Sequence, residues 1–103
     1  MARQDRITEL GFYHIINRGV EKRKIFLEPD DYDAFLDLIS NMIDEFNITI
    51  HSFCLMTNHY HIVLQTHKRN ISEAIKFLNL NYSKYFNKKY TRVGHLWHLI
   101  RMV

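Results

Sequence analysis

The stretch ITIHSFCLMTNHYHIVLQT, residues 48–66, decides the fold. Residues 48–56 and 59–66 are rich in β-branched and aromatic side chains, and only Thr57 and Asn58 separate the two runs. Two such runs joined by a short connection are typical of an antiparallel β-hairpin. The sequence therefore predicts a hairpin here, and Cys54, inside its first strand, is expected to be a small buried hydrophobe.

Two amphipathic helices are predicted on either side of this hairpin. The first opens at Pro29 and the two acids that follow it, because a missing N–H and negative charge both suit a helix start. The second is expected to begin with Asn70 as N-cap and Glu73 three residues later, in a variant of the capping box. Each helix carries an apolar stripe at helical spacing. The stripes are Tyr32, Phe35, Leu36, Ile39, Ile43 and Phe46 in the first helix and Ile71, Ala74, Ile75, Leu78, Tyr82, Tyr85 and Phe86 in the second.

Further strands flank these elements. Residues 10–18 are apolar and β-prone up to Gly19, and residues 25–27 are interpreted as a short strand returning beside them. After Gly94, residues 95–103 are predicted to form the last strand. The order β(β)αββαβ is the split βαβ arrangement. We therefore expect an α+β, ferredoxin-like fold: an antiparallel sheet with two helices on one face.

Length and composition narrow the class of protein. The chain has 103 residues, 47% of them hydrophobic and 24% charged, which predicts a single globular domain, residues 1–103. No apolar run approaches the roughly 20 residues of a membrane span, and residues 1–10 lack the apolar core of a signal peptide. A single cysteine cannot form an internal disulfide, which fits a reducing compartment. The sequence thus predicts a cytoplasmic protein with no membrane partner.

Charge is distributed unevenly along the chain. Residues 1–66 hold six Lys/Arg against ten acids, a balance of −4, whereas residues 67–103 hold eight against one, a balance of +7. A polyanion such as a nucleic acid is one partner that fits this basic half, because neutralised phosphates release condensed counterions. A solvated basic surface fits it equally well.

His59 and His61 form the candidate metal pair. Side chains at positions i and i+2 of a strand point to the same face, about 7 Å apart, so both imidazoles can converge on one divalent ion. Gln65 lies on that same face, and His14 of the first strand could reach it. If the helices cover the other face, this face is open to substrate. The spacing alone is weak evidence for a metal site, since seven histidines in 103 residues make such a pair common. The alternative is that the two are partly exposed strand histidines without a metal.

Several separated motifs resemble one known family. The segments YHIINRGVEKRKIFL (13–27), IHSFCLMTNHYHIVLQT (50–66), LNLNYSKYFNKKY (78–90) and GHLW (94–97) are similar, in order, to those of HUH-type single-tyrosine transposases. This group includes insertion-sequence enzymes and REP-associated tyrosine transposases. The resemblance covers roughly residues 11–98 and is much more specific than the histidine pair alone.

The resemblance implies a function as well as a fold. His59 and His61 match the two motif histidines, which in the family bind Mg²⁺ or Mn²⁺ and polarise a phosphate of single-stranded or hairpin DNA. A tyrosine then attacks, giving a 5′-phosphotyrosine and a free 3′ hydroxyl, and the reverse step rejoins an end during transposition. Family members pair as homodimers that complete each other's active sites, so a homodimer is expected here.

The sequence departs from the family after GHLW. There the family continues into a helix that carries the nucleophilic tyrosine, whereas this chain reads HLIRMV. None of the six tyrosines matches the nucleophile's position, and Tyr82 and Tyr85 suit core packing or base stacking better. We therefore expect a transposase-like DNA-binding domain that lacks the nucleophile helix, with DNA and metal binding but little or no strand cleavage.

Basic residues in three regions are the predicted DNA contacts. Cations interleaved with aromatic side chains are typical of single-strand binders, and a basic turn at a sheet end can hold phosphates. The predicted contacts are Arg18, Lys22, Arg23, Lys24, Arg69, Lys84, Lys88, Lys89 and Arg92. Two alternatives stay open: a non-catalytic ferredoxin-like module that stacks bases on sheet aromatics, and a small metal-sensing or structural domain.

Overall fold

The protein, seen in a computed structural model that describes residues 10–98 and 101–102, is a four-stranded antiparallel sheet with two helices. The ferredoxin-like α+β fold predicted from the sequence is confirmed, and the strands lie in the order β2-β3-β1-β4. The elements are β1 (Gly11–Arg18), a 3₁₀ turn (Val20–Lys22), α1 (Pro29–Phe46), β2 (Ile48–Met56), β3 (His59–Thr66), α2 (Ile71–Lys89) and β4 (Arg101–Met102).

Strand β3 lies between β1 and β2 and sets the two faces of the sheet. Ile15 pairs with Ile62 across β1 and β3, and Asn17 pairs with Tyr60. Paired residues of an antiparallel sheet point to the same side, and Ile15, Tyr60 and Ile62 are all fully buried. This is the side that α1 and α2 cover, because the apolar stripes of both helices pack in the same core, except that Leu36 of the predicted first stripe is exposed.

Aromatic rings fill the centre of that core. The Phe35 ring lies 4.9 Å from the Tyr60 ring and 5.2 Å, edge-on, from the Tyr82 ring. Each such pair contributes about 0.5–1.5 kcal/mol beyond the area that it buries. The Tyr60 hydroxyl donates to Asn79 Oδ1, and the Tyr82 hydroxyl donates to the carbonyl oxygen of Ile25, so neither buried hydroxyl is unpaired. The first of these hydrogen bonds joins the sheet to α2.

A buried carboxylate joins the start of α1 to the end of α2. Asp31 is 0% exposed, and its oxygens accept hydrogen bonds from Tyr85, Lys89 and Tyr90 of the second helix and its end. The backbone amides of Leu27 and Glu28 donate to the same carboxylate. Because a buried carboxylate is tolerated only with such partners, this network fixes the two helix ends against each other.

Two details differ from the sequence predictions. Residues 25–27 form no strand: Ile25 and Phe26 are buried in the core and donate their amides to the carbonyl of Thr57. Asn70 precedes α2 as predicted, but its side chain donates to the carbonyl of Phe46 rather than capping the helix. Tertiary packing thus outweighed local sequence preference at both places.

The last strand and Cys54 also differ. Within the described part of 95–103, only Arg101–Met102 is strand, since residues 95–98 make a single isolated bridge from Trp97 to Gly19. Residues 99, 100 and 103 lie outside the described residues. Cys54 is exposed, not buried, because β2 is an edge strand and this side of it has no covering layer in the described structure.

Candidate functional site

The open face of the sheet, the one opposite the helices, carries the candidate site. Alternation along β1 and β3 brings four residues of each strand to this face. They are Phe12, His14, Ile16 and Arg18 in β1 and His59, His61, Val63 and Gln65 in β3. The sequences of β1, β2 and β3 contain no Asp or Glu, so no carboxylate of these strands opposes an anion there.

The two motif histidines stand side by side at one end of this face. The ring centres of His59 and His61 are 5.0 Å apart, and the rings meet edge to face. His59 Nδ1 lies 2.8 Å from Oδ1 of Asn58. Since a carbonyl oxygen only accepts, Nδ1 carries the proton, and the other ring nitrogen, Nε2, keeps its lone pair.

The second histidine is oriented in the same way by His14. His14 Nε2 lies 3.1 Å from His61 Nδ1, and the ring centres are 5.3 Å apart. Burial, together with the charges of His59 and His14, lowers the pKa of His61 and so favours its neutral, metal-binding form. Thus His14 reaches the pair, and both motif histidines have Nδ1 engaged. Nε2 of His61 can bind a metal ion in the tautomer in which Nδ1 donates to His14.

This donor set fits a divalent metal ion in part. Metal-ligating histidines almost always hold one ring nitrogen in an outer hydrogen bond while the other binds the ion. Among the described residues, no group of three or more His, Cys, Asp or Glu could hold an ion. Two imidazoles would therefore be completed by oxygen ligands from water or phosphate, a mixture that suits Mn²⁺ or Zn²⁺ better than Mg²⁺.

A basic loop lies next to the pair and is tied to the same hairpin turn. This basic loop, residues 18–24, contains Arg18, Lys22, Arg23 and Lys24. The Asn58 side chain donates to the carbonyl of Lys22 at 3.4 Å, and Gly19 N donates to the carbonyl of Asn58 at 2.9 Å. Only glycine fits there, because a Cβ on Gly19 would lie 2.3 Å from the Arg23 carbonyl oxygen. Cations and histidines are thus held at one end of the open face.

The GHLW segment supports this loop from the other side. Val20 donates its amide to the carbonyl of Leu96 at 2.7 Å, and His98 donates to the carbonyl of Arg18 at 2.8 Å. The Trp97 indole donates to the carbonyl of Asn79 in α2. This segment therefore positions the basic loop, while neither His95 nor His98 is part of any metal-ligand cluster among the described residues.

The other predicted DNA contacts occupy different environments. Arg69 is exposed in the loop after β3, at the opposite end of the sheet from His59. Lys84 and Lys88 are exposed on α2. Lys89 instead pairs with Glu28 at 2.6 Å and with Asp31 at 2.8 Å, and both contacts raise its pKa.

Arg92 also forms hydrogen bonds within the chain. Its guanidinium donates to Oδ1 of Asn87 and to the carbonyls of Gly94 and His95. Burial and the nearby charge of Arg23 lower its pKa, so these two predicted contacts lie close enough to repel each other.

Five of the six tyrosines of the sequence lie on the helix side of the sheet or in the helices, and the sixth, Tyr90, directly follows α2. Tyr13 pairs with Leu64 on the helix side of the sheet, and Tyr60 points into the core. Burial raises the pKa of Tyr60 above its ordinary value and also that of Tyr82. Tyr32, Tyr85 and Tyr90 contact Phe26 or Asp31. The histidine pair therefore has no tyrosine on its own face among the described residues.

Two residues of the site are not identified by the sequence alone. The sequence predicts Asn58 only as a turn residue and Phe12 only as part of a strand. The signal for Phe12 is its even spacing from His14, which places both on the open face. No pattern signal identifies Asn58, because its two hydrogen bonds join a loop and a hairpin that are far apart in sequence.

Fold and site together define a ferredoxin-like protein with a histidine pair on the open face of its sheet. The sequence matches the transposase IS200-like family over residues 8–99, so the chain belongs to that family, which acts in DNA transposition. No curated protein matches the sequence. Within the described residues, neither helix is long and apolar enough to cross a membrane.

Solved structures share the fold. One is a putative transposase from Deinococcus radiodurans R1, 14% identical with a TM-score of 0.71, over 92% of this chain and 78% of that one. Another is a REP-associated tyrosine transposase bound to a REP hairpin, 12% identical with a TM-score of 0.70, over 90% of this chain and 55% of that one. At these identities the likeness concerns the fold alone.

Proposed function

We propose that this chain binds single-stranded or hairpin DNA in transposition, with a divalent metal ion, Mn²⁺ or Mg²⁺, held by His59 and His61. One observation carries the proposal: both histidines have Nδ1 engaged and Nε2 available on a sheet face whose strands contain no carboxylate. A bound ion there would neutralise charge on phosphoryl oxygens. The family and its REP-hairpin-bound structural neighbour support DNA as the partner.

The residues around the proposed metal ion have different roles in binding. Asn58 and His14 orient the two imidazoles. Arg18 pairs in register with His59, so its side chain stands beside the pair on the same face. Lys22, Arg23 and Lys24 are exposed in the basic loop and suit contacts with phosphates next to the bound one.

We propose that this chain binds DNA and metal. We do not propose that one of its tyrosines forms a covalent bond to DNA. Phosphotyrosine formation needs a phenol within reach of the phosphate, and the six tyrosines lie on the helix side of the sheet. The raised pKa values of Tyr60 and Tyr82 also keep those phenols protonated at neutral pH. Binding without cleavage is therefore favoured over a complete nuclease cycle.

We also propose that the chain acts as a homodimer. Strand β2 lies at the edge of the sheet, its nine residues ITIHSFCLM hold no charge, and Phe53 and Met56 are about half exposed. Uncharged edge strands are templates for pairing with another chain. Sedimentation velocity on the purified protein tests this, and a monomer at all concentrations would contradict it.

The experiment that tests the function is DNA binding measured by fluorescence anisotropy with and without Mn²⁺. The probe is a labelled hairpin with a single-stranded tail, and the proteins are the wild type and His59→Ala/His61→Ala. We expect Mn²⁺ to strengthen binding by the wild type and to leave the double variant unchanged. His67→Ala is the control, because it removes an exposed histidine at the opposite end of the sheet from the pair, so the effect of Mn²⁺ should persist.

The salt dependence of DNA binding distinguishes the proposed function from a structural role. DNA binding should weaken as salt rises, with a slope of about 0.7 in the logarithms for each phosphate contact to a single strand. Lys22→Gln/Lys24→Gln should reduce that slope, whereas Lys76→Gln, an exposed lysine of α2, should not. Absence of DNA binding at low salt would overturn the proposal.

A further inference from the structure

Phe12 is an exposed aromatic side chain on the same open face as the histidine pair. It is 65% exposed, although the strand around it is half-buried. Its ring centre lies 5.3 Å from that of His51. His51 is the extra residue of a bulge in β2 between Ile50 and Ser52. Its Nε2 lies 3.1 Å from Oε1 of Gln65, which holds its ring on the open face.

The position of these rings relative to the candidate metal pair is set by the register. Phe12 pairs with Gln65, and Ile16, four residues further along β1, pairs with His61. Four residues of strand span about 13 Å, so Phe12 and the pair are separated by a distance that a short extended stretch of single strand covers. His14 lies between them on the same face.

Cationic side chains lie at both ends of β1 and β3. The basic loop lies at the His59 end of the open face. At the other end, Thr66 pairs with Gly11 and the exposed Lys68 and Arg69 follow directly. A strand of phosphates laid along β1 and β3 would therefore meet cations at both ends and no carboxylate of these strands between them. Such a groove with aromatic platforms is the usual design of single-strand binding sites.

We propose that Phe12 and His51 form a base-stacking site for single-stranded DNA that runs along β1 and β3 between the two basic loops. The inference rests on the proposed function and adds a binding site to it. Phe12 supplies the face for the base, and His51, fixed by Gln65, supplies the neighbouring ring. Stacking tolerates any base sequence, because every base has a π face.

The test measures the affinity of a short single-stranded DNA of mixed sequence for Phe12→Leu and for Phe53→Leu. Phe53 is the matched control: it is 50% exposed in the same sheet, but it pairs with Ile62 and therefore lies on the helix side. We expect Phe12→Leu to weaken binding by about 5- to 150-fold and Phe53→Leu to leave it unchanged. The salt slope should be the same in all three proteins, because no phosphate contact is removed.

A second measurement identifies the stacked base. The fluorescent cytosine analogue pyrrolocytosine is placed at successive positions of the strand, and its emission is quenched where it stacks. We expect quenching at one or a few adjacent positions in the wild type, lost in Phe12→Leu and reduced in His51→Ala.

The outcomes separate this inference from the proposed function. Salt-dependent binding with equal affinities for Phe12→Leu and Phe53→Leu would overturn the stacking site and leave DNA binding intact. Tighter binding of duplex than of single strand would overturn it as well. A wild-type protein that binds no DNA at low salt would overturn the proposed function, and the stacking site with it.

Discussion

Asn58 acts at the scale of a single residue, because one side chain connects the basic loop to the histidine pair. Its amide nitrogen donates to the carbonyl of Lys22, and its oxygen accepts from His59. The first hydrogen bond fixes which end of the amide faces His59. The second fixes the proton on Nδ1 and leaves Nε2 for a metal ion.

Replacing Asn58 with alanine should therefore weaken metal binding without removing a ligand. We expect Asn58→Ala to raise the Kd for Mn²⁺ by about 10- to 100-fold, measured by isothermal titration calorimetry. Asn81→Ala is the control, since that amide donates only to Phe77 within α2. An unchanged Kd in Asn58→Ala would contradict the role of Asn58.

At this scale the sequence predicted the ligands but not the residues that orient them. His59 and His61 could be predicted as a pair because alternation in a strand is local. His14 could be placed on the same face for the same reason. The contact of His14 with His61 depends on the register of β1 against β3, and no local pattern encodes that register.

At the scale of elements, Asp31 couples α1 to α2. Burial alone would raise its pKa, but hydrogen bonds from Lys89, Tyr90, the Leu27 amide and Tyr85 lower it far below the ordinary value of 3.8. Because the folded-state pKa is depressed, the stability that Asp31 contributes is complete above about pH 5 and decreases as the pH falls below that.

Asp31→Asn should remove this contribution and its pH dependence. We expect a loss of about 2–4 kcal/mol in the free energy of unfolding at pH 7, since Lys89 keeps its charge without its main partner. The wild type and the variant should converge as the pH falls toward 2. Urea unfolding followed by circular dichroism at several pH values measures this.

Asp37→Asn provides the comparison for that experiment, because Asp37 is exposed on the same helix. Its effect should stay within about 0.5 kcal/mol. A pH-independent difference between Asp31→Asn and the wild type would mean that the carboxylate is not the titrating group.

The elements themselves were largely predictable. Two runs rich in β-branched and aromatic residues, separated by Thr57 and Asn58, predicted the hairpin, and helical spacing with Pro29 predicted α1. The prediction of a short strand over 25–27 was wrong because the β-prone residues there are buried in the core. Asn70 was placed correctly before α2, but its side chain found a better partner in the Phe46 carbonyl.

At the scale of the whole molecule, the sheet separates the tyrosines from the histidine pair. Tyr60 illustrates this best, because it lies between the two motif histidines in sequence and points to the opposite face. A phenol on the helix side cannot reach a phosphate bound on the open side without a change of fold.

We therefore expect no covalent protein–DNA adduct from this chain. The measurement is denaturing gel electrophoresis after incubation with labelled single-stranded DNA and Mn²⁺, with His59→Ala/His61→Ala alongside. An adduct that forms with the wild type and vanishes in the double variant would mean that one of the six tyrosines reaches the site.

Charge blocks in the sequence pointed to a polyanion, but not to the surface that meets it. The helix α1 carries six acids and no Lys or Arg, and it lies on the covered side of the sheet. The basic loop and the Lys68–Arg69 loop lie at the two ends of the open face. Only the fold reveals this separation, since both signs of charge occur within residues 1–66.

Because α2 shares the covered side with α1 and carries four lysines against one acid, the negative charge of that side is confined to α1, while the loops at both ends of the sheet are positive. We expect a polyanion that approaches by diffusion to be repelled by α1 and attracted by the positive loops, so that contacts at the ends of the sheet are favoured over contacts with α1. Salt should then act mainly on the association rate constant, while base stacking governs how long the complex lasts. If the chain binds DNA as proposed, the acids of α1 would speed capture by repelling unproductive approaches, without touching the strand.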